Sequence, residues 1–348
     1  MNEKFKRAVI FSGGGTRLMI YLGIYAALDE LGMKPDVLVA SCGGSFAATV
    51  INAFPDHASR KEYMKSEEYF QFVSKTVLTR HKKLSEIGLF SLKKCFDKRK
   101  APFIEDVFNR YIVEMPQNLS ECFPSIKNTQ FSKEIPTVII GSELLFTPKE
   151  SRQKRNEKKL FRKVIFTDSH TAAKIKAEHI AITFNSFKNS AVEKDSVIMT
   201  DFSILESTRA SISDMFYVSP VFLRQSYFMG GVIDLVPVEL ARHISNEIIT
   251  EKKQAYTPIE ESLIRSVFGF SANERLKETN RIAADFQIDT TNIKQDLNGH
   301  YMEKGINWRK LELDFSFPKS YQQFVQDMEM QWQYGFDQTV KDFRKIKY

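Results

Sequence analysis

The 348-residue chain is poor in the residues that staple or metallate a fold. It has three cysteines, Cys42, Cys95 and Cys122, scattered without a metal-ligand spacing and too few for a disulfide framework. No apolar run approaches the roughly 20 residues a membrane-spanning helix needs. The start, MNEKFKRAVIFSGGG, is charged and carries only a short apolar run before its glycines, so it reads as a first strand rather than a signal peptide. There is no internal repeat. The basic stretch 149–163, KESRQKRNEKKLFRK, lacks the interleaved aromatics on which bases stack, so nucleic acid is not expected. These absences lead us to expect a cytoplasmic protein in a reducing compartment, with no metal and no cofactor. Peripheral contact with an anionic membrane stays open, because the formal charge is +7. The stretch 149–163 is then either a solvated loop or the surface that makes that contact.

What is present is a core. Hydrophobic residues make up 43% of the chain and charged ones 27%, and the 29 phenylalanines serve first to fill an interior. Residues 7–12 form a short buried strand that ends in Gly13-Gly14-Gly15. Tyr21 to Leu31 has helical periodicity and closes at Gly32, and KPDVLVA returns as a second strand. Strand, loop, helix, strand is a βαβ unit, which implies a parallel sheet with a right-handed crossover. FAATVINAF continues as a helix, 58–134 is mostly helical in pattern, and PTVIIGSELLF is a further strand. YFMGGVIDLVPVELAR gives another strand, turn and helix, and beyond about 248 the chain reads as charged and helical.

Two glycine loops therefore follow strands and precede helices: Gly13 to Gly15, and the turn at Cys42 with Gly43 and Gly44 behind it. In a parallel sheet both project from the carboxyl ends of their strands, where such folds build sites. A triple-glycine loop brings backbone N–H groups close to an oxyanion. A thiol at a strand-to-helix elbow is exposed to the positive end of a helix dipole. The pairing fits acyl transfer. A dinucleotide site fits less well, because Leu18 stands at the third glycine of its fingerprint and the second strand ends in Ala40-Ser41-Cys42 instead of an acidic residue. A P-loop would need a Lys-Ser/Thr pair that is missing.

Four blocks in order resemble the patatin-like phospholipase family. AVIFSGGGTR is similar to its strand followed by G-G-G-x-R-G, and GMKPDVLVASCGGSFAA to the region ending in G-x-S-x-G. TRASISDMFYVSPV resembles its A-S-x-x-x-P start of a helix, and MGGVIDLVPV its D-G-G-V-x-D-N-x-P-V. The resemblance implies an α/β, three-layer patatin-like fold with a mostly parallel central sheet over residues 1–250. Residues 251–348 come after it as a helical C-terminal extension packed on it. It also implies a lipid acyl hydrolase or acyltransferase acting on acyl esters or thioesters in an apolar cleft.

The departures fall on the chemistry. Cys42 stands at the family's nucleophilic serine, Ala40 at the first glycine of its elbow, Met229 at its catalytic aspartate and Leu18 at the glycine after Arg17. By the resemblance, Gly13, Gly14, Gly15, Arg17, Gly43 and Gly44 supply the oxyanion and substrate-binding loop. Gly230, Gly231 and Asp234 form the structural loop. A shifted alignment would make Ser45 the nucleophile, nearly one turn into the helix. A thiol needs a base less than a hydroxyl does, yet hydrolysis of an acyl-thioenzyme still calls for one. No group in the matched blocks evidently replaces the aspartate, and His243 reads as a solvated helix residue. The alternative is a catalytically inactive patatin-like protein that binds lipid or a protein partner, with Cys42 as a core residue.

Overall fold

The computed structural model describes residues 3–14, 18–175, 189–282 and 284–346. Its first strands, β1 (Phe5–Phe11) and β2 (Val37–Ser41), are apolar runs buried on both faces, the pattern of interior strands in a parallel sheet. Between them lies α1 (Leu18–Glu30), buried along most of its length. It ends at Gly32, whose φ of 67° no β-carbon opposes. β3 (Thr137–Leu144) is the next sheet strand, followed by β4 (Phe161–Phe166), β5 (Val197–Met199), β6 (Val221–Leu223), β7 (Ser226–Met229), β8 (Ser245–Glu251) and β9 (Phe286–Ile288).

These nine strands make one sheet in the order β5-β4-β3-β2-β1-β8-β9, with the β6–β7 hairpin attached to β3 through β7. The ladders β1–β2, β1–β8, β2–β3, β4–β5 and β8–β9 are parallel, and the three ladders β3–β4, β3–β7 and β6–β7 are antiparallel. Helices cover both faces, giving three layers. Along β1, Val9 and Phe11 enter one core cluster while Ala8 and Ile10 enter the other, the alternation a strand imposes.

One detail of register positions the site. β2 pairs with β3 up to Ser41↔Ile140, and β7 takes over the same edge of β3 from Met229↔Ser142. β2 runs parallel to β3 and β7 antiparallel, so the two strands point at each other end to end. The turn that leaves β2 at Cys42 therefore meets the turn that leaves β7 at Gly230.

Two expectations are modified. The segment 58–134 is helical only in part. Helices run His57–Met64, Glu67–Ser74 and Leu84–Phe96, but 97–118 is irregular and borrows backbone partners from afar, Ile104 from Gln153 and Val113 from Tyr217. The C-terminal extension is helical in its greater part, at Pro258–Phe268, Ala272–Arg281 and Tyr321–Ile346. It also contributes β9 to the central sheet and a separate hairpin of β10 (Lys304–Asn307) and β11 (Glu312–Phe315). The last helix lies along α1, where Gly23 and Gly335 let the backbones touch; a β-carbon on either would collide with the other helix's main chain. No described helix is long and apolar enough to cross a membrane.

Candidate active site

Cys42 is the residue between β2 and α2 (Gly43–Ala53), with φ 48° and ψ −127°. A non-glycine residue held there costs about 1–3 kcal/mol, and such strain persists only where neighbours fix it. The neighbours are specific. The Cys42 N–H donates to Ser211 Oγ at 2.8 Å, and that hydroxyl donates onward to the Ile140 carbonyl at 2.6 Å. The Cys42 carbonyl accepts from the Ser45 N–H at 3.0 Å and from the Ser45 hydroxyl at 2.5 Å. Ser45 thus braces the elbow from inside the helix, fully buried, and is not the group presented at the turn.

The presented group is the thiol, and it has a partner. Cys42 Sγ donates to Asp214 Oδ2 at 2.8 Å. Asp214 lies just past the helix Ile204–Ser211, and its other carboxylate oxygen is buried without a hydrogen bond. The carboxylate fits because residue 230 is glycine: a β-carbon on Gly230 would collide with Asp214 Oδ1. Gly230 is tied to the same loop by its N–H, which donates to the Ser213 carbonyl at 2.9 Å. Gly231 lies against Ser41 and the Cys42 backbone. Met229, the last residue of β7, is buried and belongs to the apolar core. No group is expected near the thiol in place of the missing aspartate, yet a carboxylate contacts it from the third family-like block, in which no residue is assigned a role.

The glycine loop after β1 sits on the other side. Gly13 lies so close that a β-carbon there would approach Cys42 Sγ to 2.9 Å. The backbone N–H groups of Gly14 and Gly43 favour the charged form of the sulfur. Lys253 holds the loop from below, donating to the carbonyls of Gly13 at 2.7 Å and Ser12 at 3.0 Å, while pairing with buried Glu251 at 2.9 Å. Gly44 is buried against the end of β1. Gly15 and Arg17 lie outside the described residues. His243 sits in the short helix Val238–Ile244.

Burial is the largest influence on both Cys42 and Asp214. It lifts the Cys42 thiol well above its ordinary range, the Asp214 carboxylate lifts it further, and the Gly43 and Gly14 N–H groups oppose them. Burial likewise raises Asp214 to about 7, against the thiol and the Val232 N–H, which lower it. At neutral pH the resting pair is a protonated thiol hydrogen-bonded to a carboxyl group near its midpoint. Such a group is matched to general-base work.

Asp234 is a different kind of aspartate. It is buried between Lys163 and Arg275, the latter at 2.9 Å, and Arg275 also binds Glu239 at 2.7 Å. Burial alone would raise Asp234, but the two cations overrule it and hold it below the ordinary carboxylate range. Its role in the structure is to brace the loop that begins at Gly231.

Cys42 as a residue is 8% exposed. Two described cavities lie elsewhere: one of about 40 Å³ under the C-terminal helix, lined by Leu18, Met64, Tyr69 and Phe324, and one of about 10 Å³ beside Lys253. The basic stretch 149–163 is largely engaged by the protein itself. Arg152 pairs with Asp106, Lys158 with Glu150, and Arg155 and Lys159 donate to the carbonyls of Ala101 and Ser190.

Sequence reasoning missed Asp214, Ser211 and Lys253. Asp214 falls within the third family-like block, and its only signal is a lone acid in the segment RASISDMFYV. Lys253 gives no signal, since the loop it holds is 240 residues away.

The site thus joins a strained elbow thiol, a carboxylate against it and a glycine loop beside it at the end of the strands of a three-layer α/β sheet. The family model of the patatin-like phospholipases matches residues 9–242, and the chain belongs to that family. Among solved structures it is similar to VipD from Legionella pneumophila, at 11% identity and a TM-score of 0.31. That match covers 73% of this chain and 51% of the other, so the chain spans about half the length of that protein. No curated protein matches the chain.

Proposed function

We propose that the protein is a lipid acyl hydrolase or acyltransferase in which Cys42 is the nucleophile and Asp214 its base. The observation that carries this reading is the 2.8 Å contact between Cys42 Sγ and Asp214 Oδ2 at the strained elbow. In the first half-reaction the sulfur attacks the acyl carbonyl as its proton passes to Asp214. Gly14 and Gly43 N–H groups donate to the oxyanion, with Gly13, Gly15 and Arg17 completing the loop. Collapse expels the alcohol or thiol, which takes the proton from Asp214 and leaves a thioester on Cys42. In the second, Asp214 draws a proton from water or another acceptor, which attacks the thioester and returns the thiol. With a carboxylate in place, hydrolysis no longer lacks its base.

The test is turnover of short-chain acyl esters and acyl thioesters by the wild type, Cys42→Ala and Asp214→Asn. The expected result is loss of turnover in Cys42→Ala and a fall of about 10²–10⁴-fold in Asp214→Asn. The rate should rise with pH through about 7, because the ionised Asp214 is the active form. Turnover that survives in Cys42→Ala would overturn the assignment.

The enclosure of the thiol favours a second reading, in which the fold serves as a lipid- or partner-binding protein and Cys42 is packing. A folded wild type without turnover on either substrate class would support it.

A further inference from the structure

The helix Leu84–Phe96 and the β10–β11 hairpin of the extension leave large apolar side chains in water. On the helix Leu84–Phe96, Leu89, Leu92 and Phe96 share one exposed stripe, and Phe96 is 80% exposed. The opposite side faces inward: Ser91 is buried and Cys95 reaches Ser262 of the helix Pro258–Phe268. The β10–β11 hairpin abuts the start of this helix, with Leu84 N–H donating to the Leu311 carbonyl at 2.8 Å and Lys83 bridging Glu312. The hairpin tip is Trp308-Arg309-Lys310-Leu311, in which Trp308 is 72% exposed and Leu311 is exposed as well. Exposed apolar groups gathered like this mark an interaction surface.

Its charge is one-sided. Lys83, Lys93, Lys98, Lys100, Arg309 and Lys310 are exposed and form no ion pair among the described residues. Of the nearby acids, Glu86 is paired with His81, Asp97 with Arg99 and Glu312 with Lys82, which leaves the exposed Asp314 of β11 against these six cations. A tryptophan beside two cations at a hairpin tip suits the boundary between headgroups and acyl chains. Protein interfaces are instead depleted of lysine, and a second copy would set like charges against each other.

We propose that this helix stripe and hairpin tip form one docking face for a bilayer containing anionic phospholipid. The apolar side chains enter the acyl boundary and the lysines and arginines meet the headgroups. The face lies next to the site. Phe90 of the same helix packs edge-on against Phe216 at 5.4 Å, and Phe216 is two residues beyond Asp214. Docking would therefore set the Asp214 loop close to the lipid surface. The face stands whether or not Cys42 reacts, and binding is measured without turnover.

The experiment is co-sedimentation of the full chain with phosphatidylcholine vesicles, with and without phosphatidylserine. The wild type should bind the anionic vesicles and release them as salt rises. Phe96→Ser combined with Trp308→Ser should weaken binding at least about tenfold, since each loses a buried aromatic contact. Lys93→Gln with Lys310→Gln should cost roughly fivefold per charge. Reversing Lys149 and Lys154 should leave binding unchanged. All the substituted side chains are exposed, and unchanged circular dichroism verifies folding. Absence of wild-type binding would overturn the proposal. So would equal binding by the aromatic variant, loss confined to the 149–154 variant, or a wild-type dimer that the aromatic variant dissolves.

Discussion

At the scale of single residues, the site is two acids that burial has made weak, placed in contact. Asp214 illustrates the cost. Its carboxyl moves from an ordinary 3.8 to about 7 on folding, so the folded state holds its proton more tightly than the unfolded chain does. Stability is therefore unaffected below pH 4 and falls as pH rises toward 7, by roughly 4 kcal/mol at about 1.36 kcal/mol per pKa unit. Asp214→Asn should accordingly melt higher than the wild type at pH 8 while losing turnover, and the two should converge near pH 4. Thermal melts across that range check it; a variant less stable at pH 8 would mean that Asp214 stabilises the fold. The same balance explains why the thiol was legible in the sequence and its partner was not. An elbow cysteine is announced by the glycines and small residues around it, whereas an acid becomes a base only through the side chains that bury it, and those come from distant segments.

At the scale of elements, the site is made by two strands that meet end to end along β3. Because β7 continues the edge that β2 leaves, Gly230 arrives opposite Cys42, and the space a β-carbon would take is filled by Asp214. In the proposed mechanism Asp214, in the loop after the helix Ile204–Ser211, does the work that the family resemblance assigns to the position of Met229 at the end of β7. This suggests a transplant. Met229→Asp alone should not raise turnover, since it adds a like charge near a carboxylate already in place. Met229→Asp in the Asp214→Asn background should recover part of the lost activity, and steady-state turnover of the same esters measures it. The strands β1, β2, β3 and β7, the α1 and α2 helices and the end-of-strand location of the site were readable from apolar runs and glycine punctuation, whereas β4 was masked by the basic stretch it starts in and β8 by the charged sequence around it. The irregular segment 97–118 was not readable either, because its backbone partners, Gln153 and Tyr217, are far along the chain and leave no local periodicity.

At the scale of the whole molecule, the extension belongs to the architecture of the site. Arg275 comes from beyond the family-matched residues, yet it closes the buried cluster of Lys163, Asp234 and Glu239 that braces the loop after Gly231. Lys253, also beyond the match, holds the glycine loop after β1. Arg275→Met should destabilise the protein by about 3–5 kcal/mol, because it leaves Asp234 and Glu239 short of a cation in a buried setting. Urea denaturation reads that loss, and a change within error of zero would remove the extension from the account of the loop. Composition suggested a helical tail, and helices dominate it. That it also completes the central sheet through β9 was hidden in a three-residue strand, too short for alternation to register.

The central claim is that Asp214 serves Cys42. It is tested most directly by intact-protein mass during a single turnover with a short-chain acyl thioester, for the wild type and Asp214→Asn, from pH 5 to pH 9. The account predicts one acyl adduct on Cys42, forming faster as pH rises through about 7, and formed far more slowly without a pH limb in Asp214→Asn. An adduct that spares Cys42, or one whose rate and pH dependence ignore Asp214, would contradict it.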